Sequence, residues 1–204
     1  MPTLEPVCKR LFSNQSSLLK CLLAGLLLMV PIGHFFAFGF FYALIDQARR
    51  GESAELPSWS AWRRLFFDGL VAFVLFVVLG VVPICAGWML SWPLHSLAIG
   101  ALVYVPVIPG LLLAAPLTAA GIYRYQKERS FRAAFHLSSL AGMLESTGAG
   151  FCVPTLALLG FVVAGYPLLP ITLFVGLAVA FTFYAASFRA IEESRKGGTR
   201  SPYN

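Results

Sequence analysis

The sequence is short of charged residues, which make up 12% of the chain where a soluble domain carries about 25%. The stretches Gly69–Tyr123 and Ser146–Phe188 contain no Asp, Glu, Lys or Arg at all. Together with a mean hydropathy of +0.79, this scarcity excludes an ordinary soluble domain and predicts an integral membrane protein. The length of 204 residues suits a single domain.

Residues that support acid–base or metal chemistry are also scarce. The chain has nine acidic residues, three histidines and four cysteines, and no two cysteines form a CxxC pair. It contains no P-loop, no GxGxxG dinucleotide fingerprint, no HExxH and no GxSxG elbow. We therefore predict a protein that is not an enzyme and that holds no cofactor and no metal ion.

Positive charge is in excess by six, and it lies at the borders of the apolar blocks. Segments 46–68, 124–132 and 189–200 each carry at least four Lys or Arg residues. The positive-inside rule assigns these segments to the cytoplasm and predicts a multi-pass protein of the bacterial cytoplasmic membrane. The predicted partners are anionic lipid headgroups on the cytoplasmic side, other membrane proteins or a second copy, and no nucleic acid.

Two corners divide the later apolar blocks into four full spans. Residues 91–96 and 165–170 combine proline with an interfacial aromatic residue and carry no Lys or Arg. The first span is expected to kink at Pro83, and the second to kink or break at Pro106, Pro109 or Pro116. The predicted fold is all-α: a polytopic membrane protein with amphipathic interfacial helices.

The first apolar block, Cys21–Ile45, allows two interpretations. Its length fits one tilted span, yet Pro31 and Gly33 interrupt it. The alternative is a re-entrant hairpin of half-helices Leu18–Met29 and Phe35–Ile45, which places every cation inside. His34 lies at this interruption and is the candidate polar group within the membrane.

Two segments are predicted to be interfacial helices. One begins near Ser58 and carries tryptophans and arginines on adjoining faces; the other, Phe131–Glu145, has a narrow polar sector of Arg132, His136 and Ser139. The candidate contacts with lipid or with a partner are Trp59, Trp62, Arg63, Arg64 and Arg132.

The stretch Leu44–Gly69, called the joint below, connects the first block to the next span. It concentrates charge between blocks that have none. Asp68 is expected at a helix N-terminus, paired with Arg63 or Arg64, and Gly69 is expected to let two helices approach. The residues assigned to the joint or its entry are Gly39, Arg49, Pro57, Asp68 and Gly69.

An internal pattern indicates three repeats, at 1–50, 56–129 and 130–190, within one helical membrane domain of residues 1–190. Each repeat ends in a segment in which the apolar block gives way to aromatic, small and then charged residues, and we call these three segments the exits. The exits read GFFYALIDQARR, AAGIYRYQKER and TFYAASFRAIEESR. Residues 191–204 are predicted to form a disordered cytoplasmic tail.

The joint also carries a family resemblance. Gly39-Phe40, then Arg49 and Gly51, Leu56-Pro57 with Trp59, Leu65-Phe66-Phe67-Asp68-Gly69, and the later Ser130-Phe131-Arg132-Ala133-Ala134-Phe135 resemble the bacterial and archaeal membrane family called domain of unknown function 4013. Phe40 departs from the tyrosine expected there. The resemblance covers roughly residues 10–190; it implies a multi-span membrane protein and implies no activity.

Two functional hypotheses follow. The first is a non-enzymatic scaffold or accessory subunit of a larger membrane assembly. The alternative is a small transporter or lipid-handling permease whose proline-broken span, Val105–Pro116, faces the interrupted block at Pro31–His34. A polar cavity at mid-membrane depth favours the alternative, and a filled apolar core favours the first.

Overall fold

The computed structural model describes residues 15–52, 57, 59–97, 100–147 and 152–198. Every regular element in these ranges is helical, which agrees with the predicted all-α class. We number the described α-helices α1 Gln15–Leu27, α2 Gly33–Arg50, α3 Trp62–Phe76, α4 Val82–Ser91, α5 Val107–Glu128, α6 Phe131–Ala134, α7 Leu137–Thr147, α8 Cys152–Ala164 and α9 Leu169–Gly198.

Three helical segments are long and apolar enough to cross a membrane: Trp62–His95, Gly100–Glu128 and Tyr166–Ser194. The number rises to four if α7 and α8, which lie at 89° to each other, count as one span. With 13 residues, α8 is only about 20 Å long and too short to cross a core of about 30 Å alone. The predicted count of four full spans plus the first block is therefore not confirmed, although the chain does turn at both predicted corners.

The prolines mostly begin helices. Pro83 follows a π-helical turn, Val77–Val81, that joins α3 to α4. Pro106 caps α5, and the helix continues through Pro116 without a break. Because Pro116 has no N–H, it leaves the Leu112 carbonyl without its helical donor, and the Thr155 hydroxyl of α8 lies 3.4 Å from that oxygen.

The core lies along α9 and is rich in phenylalanine. Phe41 of α2 stacks on Phe174 at a ring separation of 5.0 Å and meets Phe181 edge-on at 5.3 Å. These three rings are fully buried. Aromatic pairs in such geometries stabilise the packing beyond their buried area, so α2 is held against the middle of the last helix.

Helix crossings elsewhere depend on glycine. A Cβ added to Gly87 of α4 would lie 2.5 Å from the carbonyl oxygen of Pro106, and one added to Gly110 of α5 would lie 2.9 Å from that of Pro83. The two backbones therefore touch, as small residues allow in membrane helix pairs.

Several predicted boundaries are wrong. The tryptophan and arginine segment is not a separate interfacial helix, because a short 3₁₀ turn, Trp59–Ala61, runs directly into α3. The helix predicted over Phe131–Glu145 breaks at Phe135 and His136, between α6 and α7. The predicted disordered tail is also wrong in part, since α9 continues to Gly198; residues 199–204 lie outside the described part of the chain.

Candidate functional site

The three exits identified in the sequence meet at one end of the bundle. Each contributes a buried tyrosine: Tyr42 on α2, Tyr123 on α5 and Tyr184 on α9. Helices from separate parts of the chain therefore present their charged ends to one another. This end of the bundle, together with the joint, is the candidate site.

The α5 exit is tied to α2 through Tyr42. The side-chain amide of Gln126 donates to the Tyr42 carbonyl oxygen at 2.7 Å, and Gln126 is only 4% exposed. Arg129, which ends α5 with a left-handed φ of 51°, places its guanidinium 3.3 Å from the Tyr42 hydroxyl. A buried amide without this partner would lose a hydrogen bond inside the protein, so the contact fixes the position of the two helices.

The α5 exit is also tied to α9. Glu192 accepts from the Lys127 ammonium at 2.7 Å and from the Tyr123 hydroxyl at 3.3 Å. Together with the Arg189–Glu193 pair one turn apart, at 2.7 Å, these bonds account for the helical continuation of the predicted tail.

The α2 exit ends against α9. Gly51 terminates α2 with a φ of 78°, which favours glycine, and its amide bonds the Ala48 carbonyl at 3.1 Å. The guanidinium of Arg189 occupies the space that a side chain at Gly51 would need. A cation at this position also compensates the negative end of the α2 dipole.

Asp46 is the central carboxylate of the joint. It is 9% exposed and binds Arg49 at 2.7 Å and also Arg50. Arg49 is thus placed as the ion-pair partner of Asp46, one turn away on the same helix.

Gly39 and Gly69 lie at the closest approach of α2 and α3. A Cβ on Gly39 would overlap the carbonyl oxygen of Leu65, and one on Gly69 would overlap that of Phe35. The two helix backbones are therefore in direct contact where the joint leads into the first long span.

Asp68 pairs with Arg64 at 3.3 Å and not with Arg63. The expectation that Asp68 lies at a helix N-terminus is wrong, because α3 begins at Trp62 and Asp68 lies beyond its first turn. Its charge is compensated by Arg64 one turn earlier rather than by the helix dipole.

Between these residues lies a cavity of about 210 Å³. Acidic and basic side chains of α2 and α3 face each other across it, with Pro57 at its rim. Its lining residues are Tyr42, Ala43, Asp46, Gln47, Arg50, Glu52, Pro57, Ala61, Arg64, Leu65 and Asp68.

The predicted aromatic and basic surface is exposed in part. Trp62 is 57% exposed, with the Arg63 guanidinium 5.8 Å from its ring centroid. Leu65 of the same segment is instead buried, and Phe66 packs on Phe35, so this part of the segment contacts α2. The backbone of Trp59 lies in the 3₁₀ turn, but its side chain is outside the described residues.

His34 lies in the first turn of α2, against the rings of Phe35 and Phe73 at 4.2 and 4.8 Å. Its Nε2 is buried and makes no hydrogen bond. Across the described ranges no three His, Cys, Asp or Glu side chains lie close enough together to hold a metal ion.

Arg132 lies apart from the joint, on the short helix α6. Its exposed side chain lines a second cavity, of about 300 Å³, together with Arg124, Glu128, Ser130, Ala133, His136 and Ser139. The predicted polar sector of Arg132, His136 and Ser139 is thus brought together, although the helix that was expected to carry it is broken.

Sequence reasoning did not find Gln126, Lys127, Arg189 and Glu192, which connect the exits. Their only signal was their occurrence in the three matching exit motifs, and the motifs were interpreted as a repeat rather than as a contact surface. A polar residue in an otherwise apolar turn does not indicate its tertiary partner.

Comparison with known proteins gives one result. No curated protein and no solved structure matches the chain. The family model described as protein of unknown function (DUF4013) matches residues 22–179, which is most of the chain and includes the joint. The chain belongs to this family of unknown function, DUF4013.

Proposed function

We propose that this protein is a non-enzymatic scaffold or accessory subunit of a larger membrane assembly. The proposal rests on the hydrogen bonds and ion pairs that connect the three exits to one another. Lys127 of α5 binds Glu192 of α9, and Gln126 of α5 donates to the Tyr42 carbonyl of α2. Bonds between helices of this kind hold the three exits in fixed positions. Asp46 and Asp68 are each paired with an arginine of their own helix, which leaves little for acid–base chemistry.

Close backbone contact supports a fixed framework. The glycine crossings of α2 with α3 and of α4 with α5 leave no space between the helices. A transporter needs two arrangements of its helices around a central site. Direct contacts of two backbones resist such sliding, because packed interfaces are not continuously deformable.

The transporter hypothesis requires the span Val105–Pro116 to face the interrupted block at Pro31–His34. The start of α5 lies against Gly87 and Pro83 of the same hairpin, whereas His34 lies against Phe73. The cavities of the joint and of α6 are both lined by charged residues near helix ends. These placements favour the scaffold.

We also infer that the first block is a re-entrant hairpin in a bacterial cytoplasmic membrane. Gly25 of α1 lies against Ile171, and Phe40 of α2 faces Phe174 at 6.3 Å, only one turn further along α9. In a continuous helix residues 25 and 40 would lie about 22 Å apart. Because both reach nearly the same level of α9, the chain turns back between them. This supports an arrangement in which the N-terminal cations lie on the same side as the three exits, the side that the positive-inside rule assigns to the cytoplasm.

The partner surface is expected at the exposed part of the joint, and photo-crosslinking tests it. A crosslinking amino acid replaces Trp62, which is 57% exposed, and as a matched control Trp88, which is 52% exposed near the other end of the same helical segment, Trp62–His95. In native membranes we expect a discrete protein adduct at position 62 and none at position 88. The adduct would then be identified by mass spectrometry.

The opposite result is also well defined. A chain that gives no adduct at either position, and that purifies in mild detergent as a monomer alone, contradicts the scaffold proposal. An adduct at position 88 only would contradict the assignment of the partner surface to the joint.

A further inference from the structure

The cavity at α6 is lined by an arginine that its neighbours hold in place and by several groups that can still donate a hydrogen bond. Arg124 of α5 donates to the Ser139 hydroxyl at 3.1 Å and binds Glu128 at 2.5 Å. Its Nε is buried and makes no hydrogen bond. The guanidinium is therefore held in place from two sides while one N–H lacks an acceptor, which is costly for a charged donor.

A second arginine, Arg132, lines the same cavity and has no carboxylate among the described residues as an ion-pair partner. Arg132 is exposed, and no carboxylate in the described part of the chain lies within ion-pair distance of it. Arg129, by contrast, is committed to the Tyr42 hydroxyl. Of the charged residues that line the cavity, two are arginines and one is Glu128, so the cavity carries excess positive charge.

Neutral donors complete the lining. Ser130 precedes α6 in an extended conformation, but its hydroxyl makes no capping hydrogen bond. Nδ1 of His136 is 3.1 Å from the Ser138 hydroxyl, so the other ring nitrogen remains for a ligand. Hydroxyl, imidazole and guanidinium groups around one space are the donors that recognise a phosphate.

The surroundings indicate where that phosphate comes from. Phe131, adjacent to both Ser130 and Arg132, is 42% exposed and its ring meets that of Tyr125 at 4.8 Å. Leu137, adjacent to His136, is 67% exposed. Exposed apolar side chains next to a cationic cavity at the border of a long apolar helix fit the headgroup region of a bilayer.

We propose that this cavity binds the phosphate of an anionic membrane lipid. It is an open depression of about 300 Å³ at the surface, which a lipid phosphate can reach from the side. The lipid phosphate bridges Arg124 and Arg132, while the acyl chains pass over Phe131 and Leu137. The site joins α5 to α7, is separate from the joint, and is independent of the scaffold role.

Native mass spectrometry of the full chain in neutral detergent tests the site. The probes are phosphatidylglycerol, phosphatidylcholine and glycerol 3-phosphate, each added alone. We expect phosphatidylglycerol to be retained, with about tenfold lower affinity in Arg132→Gln, since charge-assisted hydrogen bonds have such effects. Arg132→Lys keeps the charge but not the forked geometry, and is expected to lie between the two.

The matched control is Lys196→Gln, which removes one positive charge from α9 at a residue that does not line this cavity. It is expected to leave phosphatidylglycerol binding unchanged. Equal losses in Lys196→Gln and Arg132→Gln would show diffuse attraction to positive charge and overturn the proposal. Binding of phosphatidylcholine as tight as that of phosphatidylglycerol, or of glycerol 3-phosphate in preference to either lipid, would also overturn it.

Discussion

Gly69→Ala is expected to destabilise the protein by about 3 kcal/mol or more, the largest effect of any single methyl group here. The added Cβ would overlap the carbonyl oxygen of Phe35, a backbone atom that cannot rotate away. Helices α2 and α3 would have to separate, which also disturbs Gly39 against Leu65. Thermal or SDS-induced unfolding in detergent, followed by circular dichroism, measures the loss.

Gly160→Ala is the matched control, because a Cβ at this helical position in α8 meets no atom within 4 Å. It is expected to be neutral or to stabilise the protein by about 0.5 kcal/mol. The double variant Gly39→Ala/Gly69→Ala tests the crossing further. Once one methyl group has separated the helices, the second costs less, so the two losses should not add. If Gly69→Ala is as stable as the unsubstituted protein, the direct contact between the backbones of α2 and α3 is refuted.

Asp46→Ala is expected to cost about 2 kcal/mol. The substitution leaves Arg49 and Arg50 without their shared carboxylate. Arg49 already has a buried Nε without an acceptor, so a further donor would lose its partner at the same place. Arg50 is about half exposed and contributes little to the loss, since water replaces its partner. Urea or thermal unfolding in detergent provides the comparison.

The matched control for Asp46 is Glu193→Ala. Glu193 forms the same kind of pair with Arg189, one turn apart, but its side chain is 60% exposed. Exposed helical pairs contribute about 0.3–0.5 kcal/mol, so a small change is expected. If both variants lose the same stability, Asp46 is only a surface partner and the joint does not depend on it.

The sequence was sufficient for the features that depend on composition. The charge-free blocks are long enough to cross a bilayer. Inside a bilayer all backbone N–H and C=O groups need partners within the protein, and a single segment achieves this by forming a helix. Both corners, at residues 91–96 and 165–170, were predicted because proline and aromatic residues interrupt those blocks, and turns are found there. The match of the family model to residues 22–179 agrees with the motifs of the joint.

The helix boundaries depend on tertiary contacts, which the periodicity of apolar residues along the sequence does not reveal. The segment from Trp62 to Phe66 has an amphipathic pattern like that of an interfacial helix, yet α3 continues through it because Leu65 and Phe66 pack on α2. The end of α9 is rich in charge, which is typical of a tail, but Glu192 is held by Lys127, 65 residues earlier. Tertiary partners of this kind decided the cases where local pattern gave the wrong boundary.

The convergence of the three exits on one membrane face is tested most directly by cysteine accessibility. In a cysteine-free chain, single cysteines replace Ser17, Glu52, Glu193 and Trp92, and an impermeant maleimide is added to intact cells and to inverted vesicles. We expect positions 17, 52 and 193 to react only in inverted vesicles and position 92 only in intact cells. Reaction of position 17 from the same side as position 92 would mean that the first block crosses once, and would contradict the hairpin and the single-face arrangement.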